Sequence, residues 1–156
     1  MQKITEVLLL NTLKKASASP RLRMNHNFHP GLDDIYQRML NCLIPGTYLR
    51  PHRHTLPEKS ESILILKGSV LAIEFENDGK ISDFLELNSE LGNYGIDILP
   101  GIYHTLIPIT ETIIFEAKQG PYSPLNEMDF APWAPPEGSD AAIKYQKMLL
   151  DKINKM

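Results

Sequence analysis

Hydrophobic positions recur at helical spacing near both ends of the chain. After Thr5, a residue type that caps helices, apolar residues return every three positions until Lys14 and Lys15 close the run. A second run with helical period follows Ser139 and continues to Ile153, with lysines along its opposite side. The pattern predicts one short helix at each end.

Between residues 37 and 118 the pattern changes to short β-branched or alternating runs separated by turn residues, which is typical of an all-β sandwich or barrel. Asn77-Asp78-Gly79-Lys80 predicts a tight hairpin, because Asp-Gly adopts the positive φ angles that such turns require. About eight strands are predicted, the number used by a jelly roll. They are Arg38–Ile44, Thr47–Arg53, Ser62–Leu66, Val70–Glu76, Ile81–Leu87, Gly95–Leu99, Tyr103–Ile107 and Thr112–Ala117.

The segments that connect the helices to the barrel have no regular period. Residues 20–30 are polar and are expected to lie across the surface as an irregular arm. Residues 119–136 form a proline-rich tail that cannot form regular structure, because each proline removes a backbone donor. We therefore predict one domain over residues 1–156, with helix and arm at 1–36, barrel at 37–118, and tail and helix at 119–156.

Composition limits the partners. The formal net charge is -3 and the pI about 5.9, so no overall positive field attracts nucleic acid or anionic lipid. The single cysteine, Cys42, excludes an internal disulfide, and its alternation with apolar neighbours predicts a buried strand position. The apolar run at residues 7–10 is too short to span a bilayer, and a cytoplasmic location is expected by default.

Three histidines and a glutamate form the strongest chemical signal. On a strand, His52 and His54 project to the same face while Arg53 faces the other way. Glu61 follows a turn at a spacing that returns the next strand to the same place, and His104 begins a later strand. Three imidazoles and a carboxylate suit zinc, iron, manganese or nickel, and they leave positions open for water or substrate.

These residues lie within two motifs. The segment Gly46-Thr-Tyr-Leu-Arg-Pro-His52-Arg-His54, with Glu61 and then Gly68, resembles the first cupin motif. Pro100-Gly101-Ile102-Tyr103-His104 resembles the second. The resemblance implies a cupin double-stranded β-helix, a jelly-roll barrel, with His52, His54, Glu61 and His104 as metal ligands.

A narrower resemblance covers most of the chain and rests on several segments of the arm, the barrel and the tail. Together they look like the WbuC family of cupin-fold metalloproteins, which is associated with bacterial surface-polysaccharide (O-antigen) gene clusters and has no established reaction. The resemblance also implies a homodimer. The segments are Ser19-Pro20-Arg21 with Arg23, Asn25, Asn27 and His29, then 37–41, 45–48, 51–54, 120–122 and 129–135.

Several other residues are candidates for ligand binding or proton transfer near the ion. Arg50 lies two residues before His52, so on a strand its side chain would point to the same face as the histidines, into the barrel. There it either binds an anionic ligand or pairs with a barrel carboxylate. Tyr48 and Glu58 are candidates for proton transfer, and Glu58 is also the alternative ligand to Glu61. Arg23, Asn25 and His29 of the arm either cross the barrel mouth to touch a ligand or satisfy backbone groups at a dimer seam.

Three functions remain open. The first is a metal-dependent enzyme, such as an isomerase, hydrolase or dioxygenase, acting on a small anionic or sugar-derived molecule. The second is a binding or sensing module that holds a small molecule without turnover. The third is a metal-independent, epimerase-like cupin, which the clustering of three histidines with Glu61 disfavours because a lone base needs no such cluster.

Overall fold

The computed structural model describes residues 1–55 and 57–156, which form two antiparallel sheets and a helix near each end of the chain. In chain order the elements are α1 Glu6–Ser17, β1 Arg23–Asn27, β2 Tyr36–Leu43, β3 Glu61–Lys67, β4 Val70–Phe75, β5 Ile81–Leu87, a 3₁₀ turn Ser89–Leu91, β6 Gly95–Ile98, β7 Tyr103–Pro108, β8 Thr112–Gln119 and α2 Asp140–Ile153.

The sheets pack face to face as a jelly roll. One has five strands in the order β1-β2-β8-β3-β6, and the other has three in the order β5-β4-β7. Apolar side chains from both sheets meet between them, including Leu43, Ile63, Val70 and Leu106. This arrangement confirms the predicted mostly β barrel with terminal helices.

Each helix covers the outer face of one sheet. In α1, Leu9, Leu13 and Ala16 pack on Leu40 and Cys42 of β2. On the other side, Leu149 of α2 and two alanines of the tail, Ala131 and Ala134, pack on Leu71, Ile73 and Phe75 of β4. Alternate residues of β2 and β4 therefore face the interior and the helical layers, as strand geometry requires.

The predicted caps and hairpin are confirmed. The Thr5 hydroxyl accepts from the Leu8 N–H at 3.3 Å, and the Ser139 hydroxyl accepts from the Ala142 N–H at 3.2 Å. Gly79 has a φ of +87° in the turn between β4 and β5. Within the described ranges, no helix has the length and apolarity that crossing a bilayer requires.

The arm differs from the prediction. Instead of lying irregularly, Arg23–Asn27 forms β1 and pairs antiparallel with β2, from Arg23 opposite Leu43 to Asn27 opposite Met39. The strand was missed because its sequence, RMNHN, lacks alternating apolar residues. An edge strand with polar side chains can still form, since its stability comes from the backbone ladder.

The prediction of a strand over Thr47–Arg53 is also wrong. This segment has no regular ladder, and only His52 forms isolated bridges, one to His104 and one to Phe130. Pro51 cannot donate a hydrogen bond, although its carbonyl accepts from the Ala131 N–H at 2.9 Å. The segment is thus held from two sides, by β7 and by the tail, without being a strand.

A carboxylate between the tail and α2 anchors the arm. Glu137 accepts hydrogen bonds from the guanidinium groups of Arg21 and Arg23 at 2.8 to 2.9 Å. Arg23 also donates to the Tyr48 carbonyl at 3.1 Å. Burial alone would raise the pKa of Glu137, but the two arginines lower it to about 2.

We expect Glu137→Gln to destabilise the protein at neutral pH. Because the folded pKa of about 2 lies below the ordinary 4.5, the carboxylate stabilises the fold above pH 4.5 and this contribution is lost as pH falls toward 2. Urea unfolding at pH 7 and pH 3 should show a wild-type advantage that shrinks at the lower pH. Glu127→Gln is the control, since that side chain is 89% exposed; equal effects of both changes would contradict the role of Glu137.

Candidate metal centre

Three separate parts of the chain bring the predicted ligands together. His104 is the second residue of β7, Glu61 is the first residue of β3, and His52 and His54 lie on the extended segment beside β7. The His52 N–H donates to the His104 carbonyl at 3.1 Å, and the His104 N–H donates to the His52 carbonyl at 2.9 Å. This reciprocal backbone pair places the two imidazoles side by side, with ring centroids 4.6 Å apart.

The spacing of the ligand atoms suits a single ion. One nitrogen from each of His52, His54 and His104 lies within 4.8 Å of the others. Glu61 Oε1 is 2.8 Å from His54 Nε2, and Glu61 Oε2 is 3.3 Å from His104 Nε2. Two ligands that each lie about 2.1 Å from an ion at a right angle are separated by about 3.0 Å. The observed distances therefore match neighbouring positions in a coordination sphere.

The opposite ring nitrogens determine which atoms face the cluster. His52 Nδ1 is 3.0 Å from the Arg50 carbonyl, and His104 Nδ1 is 2.9 Å from the Ile102 carbonyl. Because a carbonyl can only accept, each Nδ1 carries the proton and each Nε2 keeps a lone pair. Such backbone contacts orient metal-binding histidines in proteins.

Two of the three histidines in the cluster have an Nε2 atom without a hydrogen bond. Those of His54 and His104 are buried without a hydrogen-bond partner among the described residues, although both are close to the Glu61 carboxylate. When the lone pairs of several atoms converge on one point, those nitrogen and oxygen atoms lie close together without forming hydrogen bonds to one another. The orphaned nitrogens thus fit a metal ion, which would accept both lone pairs.

Burial and neighbouring charges adjust the ionisation of the cluster. Burial, followed by the charge on His104, lowers the pKa of His52 to about 3, so this ring is neutral. Burial raises the pKa of Glu61, but His104, His54 and Lys118 hold it well below its usual value. Burial lowers the pKa of His104, but Glu61 outweighs this effect and raises it, so a proton competes with a metal for its Nε2. The neutral ring and the ionised carboxylate are the forms that bind metal.

A half-buried lysine supports the carboxylate. Lys118 Nζ donates to Glu61 Oε1 at 2.7 Å and also contacts Glu116 Oε1 at 2.7 Å. Glu116 in turn accepts from the Asn41 amide. Burial would lower the pKa of Lys118, but the two carboxylates raise it, so the ammonium stays charged. One ammonium therefore neutralises part of a buried pair of carboxylates.

We expect Lys118→Met to destabilise the metal-free protein by about 3–5 kcal/mol, because it leaves two carboxylates buried without their cation. The double change Lys118→Met with Glu116→Gln should cost less, since it removes one of those charges as well. Denaturant unfolding of metal-stripped protein measures both.

Lys67→Met is the control, because this lysine is 45% exposed and its pairing with Glu6 is at the surface. If Lys118→Met matches this control, the proposed role of Lys118 in the buried network is wrong.

The cluster opens into a cavity of about 480 Å³ between the sheets. Arg23, Asn25 and His29, the three arm residues predicted to bind a ligand, all line this cavity. Its wall also includes His52, His104, Glu61, Glu116 and Lys118, together with apolar side chains such as Leu43, Met39 and Ile63. A cavity of this size can hold a small metabolite.

Arg50 does not line the cavity. Its guanidinium donates to the carbonyls of Ala134 at 3.1 Å and Ala131 at 3.4 Å, and it stacks on Phe130 at 4.8 Å. It also pairs with Glu127 at 3.6 Å. Strand parity gave the wrong orientation because the backbone before Pro51 does not follow a strand. The proposed anion-binding role of Arg50 is therefore not supported by its position.

The two proton-transfer candidates also lie elsewhere. The Tyr48 hydroxyl donates to the Pro135 carbonyl at 2.8 Å, and burial raises its pKa to about 12. Glu58 is exposed and faces Thr55 across an isolated bridge. Neither lines the cavity, and Glu61 rather than Glu58 contacts the histidines.

The polar residues of β2 and β8 were not among the site residues predicted from the sequence. Gln37, Asn41, Glu116 and Lys118 all line the cavity. A signal was present in the predicted strand 112–117, where Glu116 occupies the same parity as the apolar Ile114. A charged residue at an inward position indicates a paired or functional group, because an unpaired buried charge is costly.

Comparisons with known proteins agree with the fold. A family model described as "Domain of unknown function (DUF6016)" matches residues 4–87. No curated protein matches the chain significantly. Solved structures of low identity share the architecture, which establishes the cupin fold.

Three of these structures illustrate the likeness. Oxalate oxidase in complex with the substrate analogue glycolate has a TM-score of 0.54 at 16% identity over 68% of this chain, which spans 55% of that protein. The oxalate decarboxylase–formate complex from Lactobacillus farciminis has a TM-score of 0.51 at 15% identity, covering 70% of this chain and 31% of that one. KdgF from Halomonas sp. has a TM-score of 0.51 at 9% identity, covering 67% and 83%.

Proposed function

The chain belongs to the DUF6016 family, a domain of unknown function, and we propose that it is a metal-binding cupin acting on a small anionic or sugar-derived molecule. The observation that carries this proposal is the convergence of His52, His54, His104 and Glu61 beside a cavity of about 480 Å³. The ligand set suits zinc, iron, manganese or nickel, and availability decides among such ions.

The protein's own groups have distinct parts in this proposal. A bound ion would polarise a substrate oxygen or activate a water molecule. The carbonyls of Arg50 and Ile102 orient two of the imidazoles, and Lys118 holds one oxygen of Glu61. The apolar wall of the cavity limits water around the ligand and so strengthens its polar contacts.

Metal content tests the proposal directly. Protein purified without added metal should contain close to one ion per chain by elemental analysis. Changing His52 and His54 together to Ala should abolish this content, because two of the four ligands are lost. His26→Ala is the matched control, since His26 packs against Phe28 with ring centroids 5.1 Å apart and does not line the cavity.

Circular dichroism should show that the double variant stays folded. Stoichiometric metal retained in that folded variant would refute the assignment.

A binding or sensing module is the second candidate. It gains support from the positions of Tyr48 and Glu58, because neither proton-transfer candidate reaches the cavity. The third candidate, a metal-independent epimerase-like cupin, is disfavoured because three imidazoles share one point.

We expect product formation from some member of a panel of nucleotide sugars and small carboxylic acids if the protein is an enzyme. Glycolate and formate occupy two of the structural neighbours, so acids of that size belong in the panel. Product analysis by mass spectrometry and binding by calorimetry should be measured on the same metal-loaded protein. Saturable binding without product across the panel would contradict the enzyme and favour the module.

The resemblance to the WbuC family adds finer proposals. It points to a role in bacterial surface-polysaccharide (O-antigen) biosynthesis and to a homodimer, while a cytoplasmic location remains the default expectation from the sequence. The residues that carry it include Arg23, Asn25 and His29, which line the cavity, so the resemblance extends into the proposed ligand site. The net charge of -3 supports a small molecule rather than a nucleic acid as the partner.

A further inference from the structure

His29 lines the cavity, and one of its ring nitrogens is buried without a hydrogen-bond partner among the described residues. The residue is only 7% exposed and lines the same cavity as the metal cluster. Its Nε2 has no hydrogen-bond partner among residues 1–55 and 57–156. A buried polar atom without a partner is costly, so a ligand atom that satisfies it would gain affinity.

The backbone of β2 indicates which nitrogen of His29 carries the proton. The Arg38 N–H lies 3.1 Å from His29 Nδ1 and donates to it. The Arg38 carbonyl is also 3.0 Å from Nδ1, but it already accepts from the Phe28 N–H at 2.8 Å. An unprotonated Nδ1 therefore satisfies both backbone groups and leaves the proton on Nε2. His29 thus offers an N–H donor, which calls for an acceptor oxygen on the ligand.

The register of the five-stranded sheet separates His29 from the metal ligands. Glu61 of β3 lies opposite Lys118 of β8, which lies opposite Gln37 of β2. His29 follows β1, on the far side of β2. Three strand intervals of about 4.8 Å separate the backbones of β3 and β1 by roughly 14 Å. The cavity of about 480 Å³ that spans this distance is large enough for a ligand about the size of a hexose.

The charges in the cavity indicate a single negative charge on that ligand. Glu61 and Glu116 contribute two negative charges and Lys118 one positive charge, while Arg23 is paired with Glu137. A divalent ion at the histidines would leave the cluster with one unbalanced positive charge. A monoanion would neutralise it in a site where charge is poorly screened.

Amide side chains suit the remainder of such a ligand. Asn25 and Asn27 line the cavity from β1, and the Asn25 amide donates to the Met39 sulfur at 3.6 Å. Amides can both donate to and accept from hydroxyl groups.

We infer that the cavity binds a monoanionic polyhydroxy acid of about six carbons, with its carboxylate end at the metal cluster and a distant oxygen accepting from His29 Nε2–H. This inference rests on the proposed metal-binding function and names the ligand class for the same site. His29 acts at the end of the ligand that lies away from the ion.

Three probes separate the elements of the proposal. Glycolate has the same α-hydroxy-carboxylate end as gluconate but no chain to reach His29, and sorbitol has the six-carbon chain without the charge. Calorimetry on metal-loaded wild-type protein should show tighter binding of gluconate than of either other probe. Gluconate that binds no better than glycolate would overturn the inference.

Two substitutions at His29 give a matched comparison. Asn places an acceptor near the position of Nδ1 and removes the distal donor, whereas Gln can place a donor near the position of Nε2. His29→Asn should weaken gluconate binding about five- to tenfold and leave glycolate binding unchanged, because one buried hydrogen bond is lost. His29→Gln should recover part of the loss.

Unchanged gluconate affinity in His29→Asn, or an equal loss for glycolate, would contradict a role for His29 at the distal end. If His29→Asn does not fold, imidazole ¹⁵N NMR of the wild type provides the test, because gluconate but not glycolate should shift the Nε2–H resonance. Absence of that shift at saturating gluconate would overturn the inference.

Metal content of each protein distinguishes this failure from failure of the proposed function. Wild type without stoichiometric metal would refute the metal centre. If the wild type contains stoichiometric metal but the His29 substitutions do not change gluconate affinity, only the ligand contact is refuted.

Discussion

The reciprocal backbone hydrogen bonds between His52 and His104 are the constraint on which the site depends. The segment before His54 has no regular ladder, and Pro51 within it cannot donate. Two hydrogen bonds to β7, at 3.1 and 2.9 Å, therefore hold this segment where a strand would otherwise be needed. They place the imidazoles of two distant parts of the sequence beside each other, and Glu61 reaches them from the opposite sheet.

Burial of the carboxylate creates a second requirement. Glu61 is 4% exposed, so its charge must be balanced nearby. Lys118 supplies the balancing positive charge in the absence of an ion. It also contacts Glu116, so its charge is shared between two carboxylates. A divalent ion would add positive charge to the same carboxylate, whose Oε2 lies 3.3 Å from His104 Nε2 and whose Oε1 lies close to both Lys118 and His54. Lys118 and a bound ion would therefore share the charge of Glu61.

The sequence was sufficient for the elements whose signals are local. Helix caps at Thr5 and Ser139 and the Asp78-Gly79 turn lie where their residue types predict, and the parity of His52 and His54 puts both rings at one point. The same parity failed two residues earlier at Arg50, because it assumes a strand that Pro51 interrupts. Strand β1 was missed because its pairing with β2 is a long-range backbone contact that a polar sequence does not reveal.

The tail explains why the polar groups of the cavity come from unexpected elements. Carbonyls of residues 131, 134 and 135 accept the hydrogen bonds of Arg50 and Tyr48, which removes both side chains from the barrel interior. Proline-rich backbone suits this purpose, because prolines prevent a regular helix or sheet whose N–H groups would occupy these carbonyls. The Ala131 carbonyl also accepts from the Ala134 N–H at 3.1 Å. Because Arg50 and Tyr48 form their hydrogen bonds outside the barrel, the polar groups that line the cavity come from β1, β2 and β8. Inward positions of these strands carry amides and charged groups, where a closed core would carry leucine. The metal ligands and the ligand-binding wall are therefore set by separate parts of the chain, so substitutions in the arm can alter what the cavity accepts while the four metal ligands stay in place.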